Sequence, residues 1–230
     1  MIKHLRVWTV VLVVALGSTS VLADGGSAEA GVNILPSFSI GASLSYSTTV
    51  APDLTLSGGV SARIPLGAGS PSVALGAGLA YAIPIASGEG LFVAASVGPR
   101  LDVDVLPSVV VKISLLASIY AGLDVDPTAT IYGGAYVQPG LELAANNNFN
   151  LNFVLPNGLY AGVLWRPFNP FSLRANFELN FGSGIGIAAK LTALYGLSSN
   201  FSVGATGGLE GNLSFNTLGP VLRVFAVFSF

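Results

Sequence analysis

Residues 171–181 read FSLRANFELNF. Phe171, Leu173, Ala175, Phe177, Leu179 and Phe181 alternate with Ser172, Arg174, Asn176, Glu178 and Asn180. Successive side chains of a β-strand point to opposite faces. Alternation this clean therefore predicts a strand with one apolar and one polar face.

The same period recurs outward from this stretch in both directions. Phe38, Ile40, Ala42, Leu44 and Tyr46 alternate with serines and Gly41, and Leu54, Leu56, Val60, Ala62 and Ile64 alternate with Thr55, Ser57, Gly59, Ser61 and Arg63. Turn-forming clusters punctuate the runs, among them Ala51-Pro52-Asp53, Ser87–Gly90, Leu106-Pro107, Ala144–Asn148, Pro156-Asn157-Gly158, Arg166–Pro170 and Gly182-Ser183-Gly184. Strands are expected near 37–47, 54–64, 72–85, 91–105, 109–124, 128–143, 149–155, 159–166, 171–181, 185–195, 201–213 and 221–230. That is twelve. Residues 149–166 keep one parity across Pro156 and could form one long strand. An even count, usual for a closed bacterial barrel, favours the split, with ten strands as the alternative.

Composition limits what such a sheet can be. The chain has 230 residues, of which 9% are charged and 52% hydrophobic. An ordinary soluble domain is about 25% charged. Low hydrophobicity and high charge would be needed for disorder, and a net charge of -2 offers nucleic acid no basic footprint. With the phase set by the apolar residues, Arg63, Arg100, Asp102, Asp104, Lys112, Asp124, Glu142, Arg174, Glu178, Lys190, Glu210 and Arg223 all fall on the polar parity. The remaining charges past residue 23 lie in termini, turns or a strand end, and none falls on the apolar face.

Two polarities are open to a sheet of this kind. A soluble barrel turns its apolar face inward, whereas a membrane barrel turns it toward lipid. The polar parity is mostly Ser, Gly, Ala, Thr and Asn, a thin coat for a water-facing surface. Phe38, Tyr46, Tyr81, Phe149, Trp165, Phe171, Phe181, Tyr195, Phe201 and Phe230 lie on the apolar parity near strand ends. Rings in those places suit the two interfaces of a bilayer. Helices do not compete well. A helix through Val105–Leu123 would place Lys112 near mid-membrane, at about 2.5–3.5 kcal/mol on insertion scales.

Residues 1–23 read as a cleaved signal peptide. Lys3, His4 and Arg6 precede the apolar run Val7–Gly17, and Val21-Leu22-Ala23 has the form of a peptidase site. The only His and the only Met would leave with it, and the chain has no Cys. What remains cannot build a Ser-His-Asp triad, a His/Cys zinc site or a disulfide. No cofactor is expected. Asp102 and Asp104 share one face of one strand without a third catalytic group, so no enzyme is expected. The GSGIG stretch at 182–186 precedes alternation instead of a helix, which removes the context of a nucleotide loop. Residues 24–36 are Gly/Ala/Ser-rich and read as a flexible lead-in to a barrel over 37–230.

The last ten residues, VLRVFAVFSF (221–230), carry Leu222, Val224, Ala226, Phe228 and Phe230 on one parity. This resembles the closing strand of bacterial outer-membrane β-barrel proteins. The resemblance implies an all-β, up-and-down transmembrane barrel in the outer membrane. Its lipid and, during biogenesis, the barrel-assembly machinery would be partners, with Phe228 and Phe230 as the assembly signal. Val221, Phe225 and Val227 make the opposite parity apolar too, so some apolar packing on the lumen side is expected there.

The polar parity would then line the interior, with three candidate features. Small residues leave room for solutes, or let a narrower barrel close tightly. Arg100, Asp102, Asp104 and Lys112 meet across one hairpin, with charge favouring Lys112 opposite Asp102. Glu178 and Lys190 can meet across 182–184. Such charges form either a selective constriction or ion pairs that fix register. Tyr120, Tyr132, Tyr136 and Tyr160 could stack on a solute or pack inside the barrel. Short connections leave no plug. The sequence thus points to a small passive pore. The alternatives are a structural or interaction barrel with a filled lumen, and a secreted soluble barrel holding an apolar ligand.

Overall fold

A computed structural model describes residues 25–35, 37–145, 149–182 and 184–230. The leader expected over 1–23 lies outside them. Among the described residues fourteen strand segments form one antiparallel sheet: β1 (Gly25–Leu35), β2 (Ser39–Ala51), β3 (Leu54–Pro65), β4 (Ser72–Gly88), β5 (Leu91–Leu106), β6 (Val110–Asp126), β7 (Ala129–Val137), β8 (Gly140–Ala145), β9 (Phe149–Val154), β10 (Asn157–Phe168), β11 (Phe171–Phe181), β12 (Ile185–Gly196), β13 (Phe201–Asn212) and β14 (Gly219–Ser229). The β5–β6 pairing joins the sheet to itself and closes the barrel.

Fourteen segments make twelve staves. β7 and β8 keep one register against β6, with Ala117 opposite Val137 and Ser114 opposite Gly140. β9 and β10 keep one register against β8 and β7, with Gly140 opposite Val154 and Val137 opposite Asn157. Pro139 and Pro156 interrupt these two staves because proline has no N–H for the ladder. The backbone is restitched across them. Gln138 N–H donates to Pro156 O at 2.8 Å, and Leu115 N–H to Pro139 O at 3.0 Å.

The expected count of twelve is therefore met, but by different strands. Residues 149–166 do not make two staves. The missing one is β1, in the segment expected to be a flexible lead-in. β1 pairs with β2 on one side and with β14 on the other, so it closes the seam next to the chain's last strand.

The faces follow from exposure. Large apolar side chains on the apolar parity stand open: Phe38 is 54% exposed, Phe177 43% and Leu101 42%. Among the described residues the buried hydrophobic ones are only Leu44, Ala62, Ile64 and Ala188. A chain of this size in water would be expected to gather such residues into a core. Here they face away from the axis. One end of the barrel carries exposed Trp165, Phe168, Tyr195, Phe201 and Phe228 on the outer surface, the girdle expected where acyl chains meet headgroups.

The turns differ between the two ends. At the aromatic end, residues 52–53, 89–90, 127–128, 169–170 and 197–200 join the strands. Glu89 and Gly90 both have positive φ, at 44° and 81°, as the tightest hairpin turns require. At the other end the connections include 66–71 and 213–218. The latter holds a short 3-10 turn, Leu213–Phe215, begun by Asn212, whose side chain accepts from Ser214 N–H at 3.0 Å.

Candidate functional site: the barrel lumen

The lumen is built from the polar parity, and its two sides differ. On β2, β3, β4 and β5 the inward positions include Ser43, Ser45, Ser57, Ser61, Ala74, Gly76, Gly78, Ala80, Ser96 and Gly98, with Arg100, Asp102 and Asp104 following on β5. A cavity of about 700 Å³ lies against this wall. Gln138 and Pro156, at the interrupted staves, border it from the far side. Side chains this short cannot reach the axis of a twelve-stranded barrel.

The opposite wall is filled by rings. Tyr120 stands on β6, Tyr132 and Tyr136 on β7, and Tyr160 on β10. Each of the last three lies over the glycine directly across the ladder: Tyr160 over Gly134, Tyr132 over Gly162 and Tyr136 over Gly158. A Cβ at Gly158 would sit 2.8 Å from the Tyr136 ring, so these glycines are where a ring can lie flat against backbone. The hydroxyls reach β11: Tyr136 Oη–H donates to Asn180 Oδ1 at 2.8 Å, and Tyr132 Oη–H donates to Asn176 Oδ1. Phe92, an inward ring not singled out from the sequence, meets Tyr120 edge-on at 6.2 Å. Its opposite Gly122 was the available signal. On β14 Phe225 covers Gly204, and Arg223 lies 5.3 Å from its ring centre. The apolar packing expected inside that strand is thus present.

Charges pair locally along the wall. Asp102 stands opposite Lys112, yet its closest partner is Arg100 on its own strand, at 2.7 Å. Lys112 reaches instead to Glu142 at 3.4 Å and Asp104 at 3.9 Å. Five of the candidate residues are therefore gathered at one end of the β5–β6–β8 wall. Ser96 and Ser118 share a 2.7 Å hydrogen bond farther along the same ladder.

The other candidates are spread around the barrel. Arg63 donates to Ser39 at 2.9 Å and Ser37 at 2.7 Å, and Ser39 is fully buried beneath it. Asp124 accepts from Thr130 at 2.6 Å. Lys190 pairs with Glu210 across β12 and β13, not with Glu178, which sits opposite Ala188. Lys190 lies diagonal to both carboxylates, and only Glu210 is in contact. Arg223 pairs with Glu29 on β1, a partner hidden from the sequence because β1 was not read as a strand. Arg174 and Glu178 make no ion pair or hydrogen bond among the described residues. The described His/Cys/Asp/Glu residues form no metal-binding group.

No protein-family pattern and no curated protein sequence matches the chain. Solved structures do. The KdgM porin, in a complex with disordered oligogalacturonate, superposes with a TM-score of 0.59 at 13% identity, over 90% of this chain and 99% of that one. The NanC porin superposes with a TM-score of 0.60 at 8% identity, over 88% of this chain and 98% of that one. At these identities the likeness is one of fold, and the fold is that of bacterial outer-membrane β-barrel porins.

Proposed function

We propose that the chain is an integral outer-membrane β-barrel that acts as a small passive pore for small solutes. The observation that carries this reading is the cavity of about 700 Å³ along a wall of Ser, Gly and Ala, inside a barrel whose apolar side chains face outward. In hydrocarbon every backbone N–H and C=O needs a partner within the protein, and closure through β5–β6 and β1–β14 gives each stave a neighbour on both sides where the staves run alongside one another. The short turns at the aromatic end suit the periplasmic side, and the longer connections the cell exterior. The chain does no chemistry on its solute in this reading. Leader cleavage after Ala23 fits export through the inner membrane.

Conductance tests the proposal directly. The refolded protein in a planar bilayer should give steady ohmic steps. A barrel that inserts and seals without current would replace the pore with the structural reading. Solubility as a folded monomer without detergent would replace both with the secreted barrel.

The closing-strand proposal has its own geometry. Phe230 N–H donates to Gly26 O at 3.0 Å and Gly26 N–H to Phe230 O at 2.9 Å. The Phe230 ring lies against Gly26, and Phe228 stacks on it at 6.3 Å. The backbone bonds survive Phe230→Ala. That variant should therefore lower outer-membrane assembly much more than it lowers the unfolding midpoint of the folded barrel, with equal assembly counting against the signal.

A further inference from the structure

Among the described residues, one strand of this barrel has an edge without a partner. β9 pairs with β8 on one side, from Gly140↔Val154 to Ala145↔Phe149, and stands last in the hydrogen-bonding order of the sheet. The ladder of its own stave with β11 stops at Asn157↔Phe181, where β11 ends. The bond from Gln138 N–H to Pro156 O fixes which residues of the stave bond toward β7 and β8. Positions 150, 152 and 154 share that phase. The backbone N–H and C=O groups of Phe149, Leu151 and Phe153 therefore point to the open edge.

Proteins normally blunt such an edge with Lys, Pro, an inward charge or a bulge. Residues 149–154 (FNLNFV) contain no charge and no Pro. Leu151 and Phe153 are 61% and 69% exposed on the outer face. Open edges do not persist against lipid, and above it they are templates for another strand.

The sequence of the edge selects the occupant. Phe149-Asn150-Leu151-Asn152-Phe153 reads the same in both directions. An antiparallel copy with Leu151 opposite itself places Phe149 opposite Phe153 and Asn150 opposite Asn152. Every open donor then meets an open acceptor, and on the outer surface Leu151 meets Leu151. This is the self-complementarity that a two-fold interface demands. We propose that β9 pairs with β9 of a second copy of this chain, about a two-fold axis at Leu151. The sheets of the two barrels then run continuously through β8–β9.

Absence of native cysteine makes the test direct. Leu151→Cys would be the sole thiol and would face itself across the axis. Opposed Cα atoms of a hydrogen-bonded pair lie about 5.5 Å apart, inside the roughly 4.4–6.8 Å range that a disulfide spans. Refolded in lipid vesicles and mildly oxidised, L151C should run mostly as a disulfide-linked dimer. Ile83→Cys, on the exposed outer face of β4, should stay monomeric. Leu151→Pro removes the central donor and should abolish the dimer that the parent shows in native mass spectrometry. Circular dichroism reports folding in every variant, so the outcome does not depend on whether the barrel conducts. A monomeric parent, cross-linking of L151C no greater than of I83C, or a dimer that survives L151P would each overturn the proposal.

Discussion

The two walls of the lumen obey one rule of parity and reach opposite ends. Along the cavity the inward residues of β2, β3 and β4 are serines and small apolar residues. On β6, β7 and β10 the inward residues include four tyrosines, three of them laid over the glycine across from them. Glycine serves both walls for different reasons. Gly76 and Gly78 leave room in the lumen, whereas Gly134, Gly158 and Gly162 give up their own space to a ring. The cavity is therefore off-centre. In the proposed pore a solute would pass along hydroxyls, backbone and the charged side chains of Arg100, Asp102, Asp104 and Lys112, with the tyrosine-filled wall as the partition opposite.

The comparison fails at once if the faces are reversed, and neighbouring substitutions on β3 test that. Leu56→Arg puts a charge toward lipid and should cost about 2–4 kcal/mol if it sits near the midplane. Ser57→Arg, one residue on, points into the cavity and should stay within about 0.5 kcal/mol. Denaturant unfolding in vesicles measures both, and equal costs would mean that the small-residue wall does not face inward. If it does, bulk on the two walls should act with opposite sign. Ser61→Trp fills the cavity side and should remove roughly half of the single-channel current or more. Tyr132→Ala thins the partition and should raise the current by a smaller amount. A current that ignores Ser61→Trp would place the path elsewhere in the barrel.

How much of this was legible depends on the amplitude of the pattern. β11 could be read because Phe177 and Leu179 stand against Arg174, Asn176 and Glu178. β1 has the same period in muted form, with Ala28, Ala30 and Val32 against Ser27, Glu29, Gly31 and Asn33. Small residues on both parities make it look like a linker. Its conformation is imposed by the ladders on either side, with β2 and β14. The stave from 149 to 168 was obscured for a different reason. Pro156-Asn157-Gly158 carries the local signature of a turn, yet the stave holds its register through it. Which residues line the lumen followed from parity. Which charges meet did not, because diagonal neighbours compete. Lys190 could reach either of two carboxylates, equally diagonal in the two ladders, and the structure pairs it with Glu210.

The smallest effects separate ring from hydroxyl within the tyrosine wall. The Tyr160 hydroxyl has no hydrogen-bond partner among the described residues, so what the side chain contributes is its ring over Gly134. Tyr160→Ala should cost about 1 kcal/mol, the upper end for a cross-strand pair, and Tyr160→Phe should be neutral. Tyr136 carries both terms, since its hydroxyl donates to Asn180. Tyr136→Phe keeps the ring over Gly158 and should lose about 0.5 kcal/mol, the low end for a single hydrogen bond, because the lumen position lets water replace the donor. Unfolding midpoints of the three variants decide the matter. If Tyr160→Phe costs as much as Tyr136→Phe, the rings are held by hydroxyl contacts and not by the glycines beneath them. The partition would then be a hydrogen-bonded screen, able to loosen when a solute competes for Asn176 and Asn180.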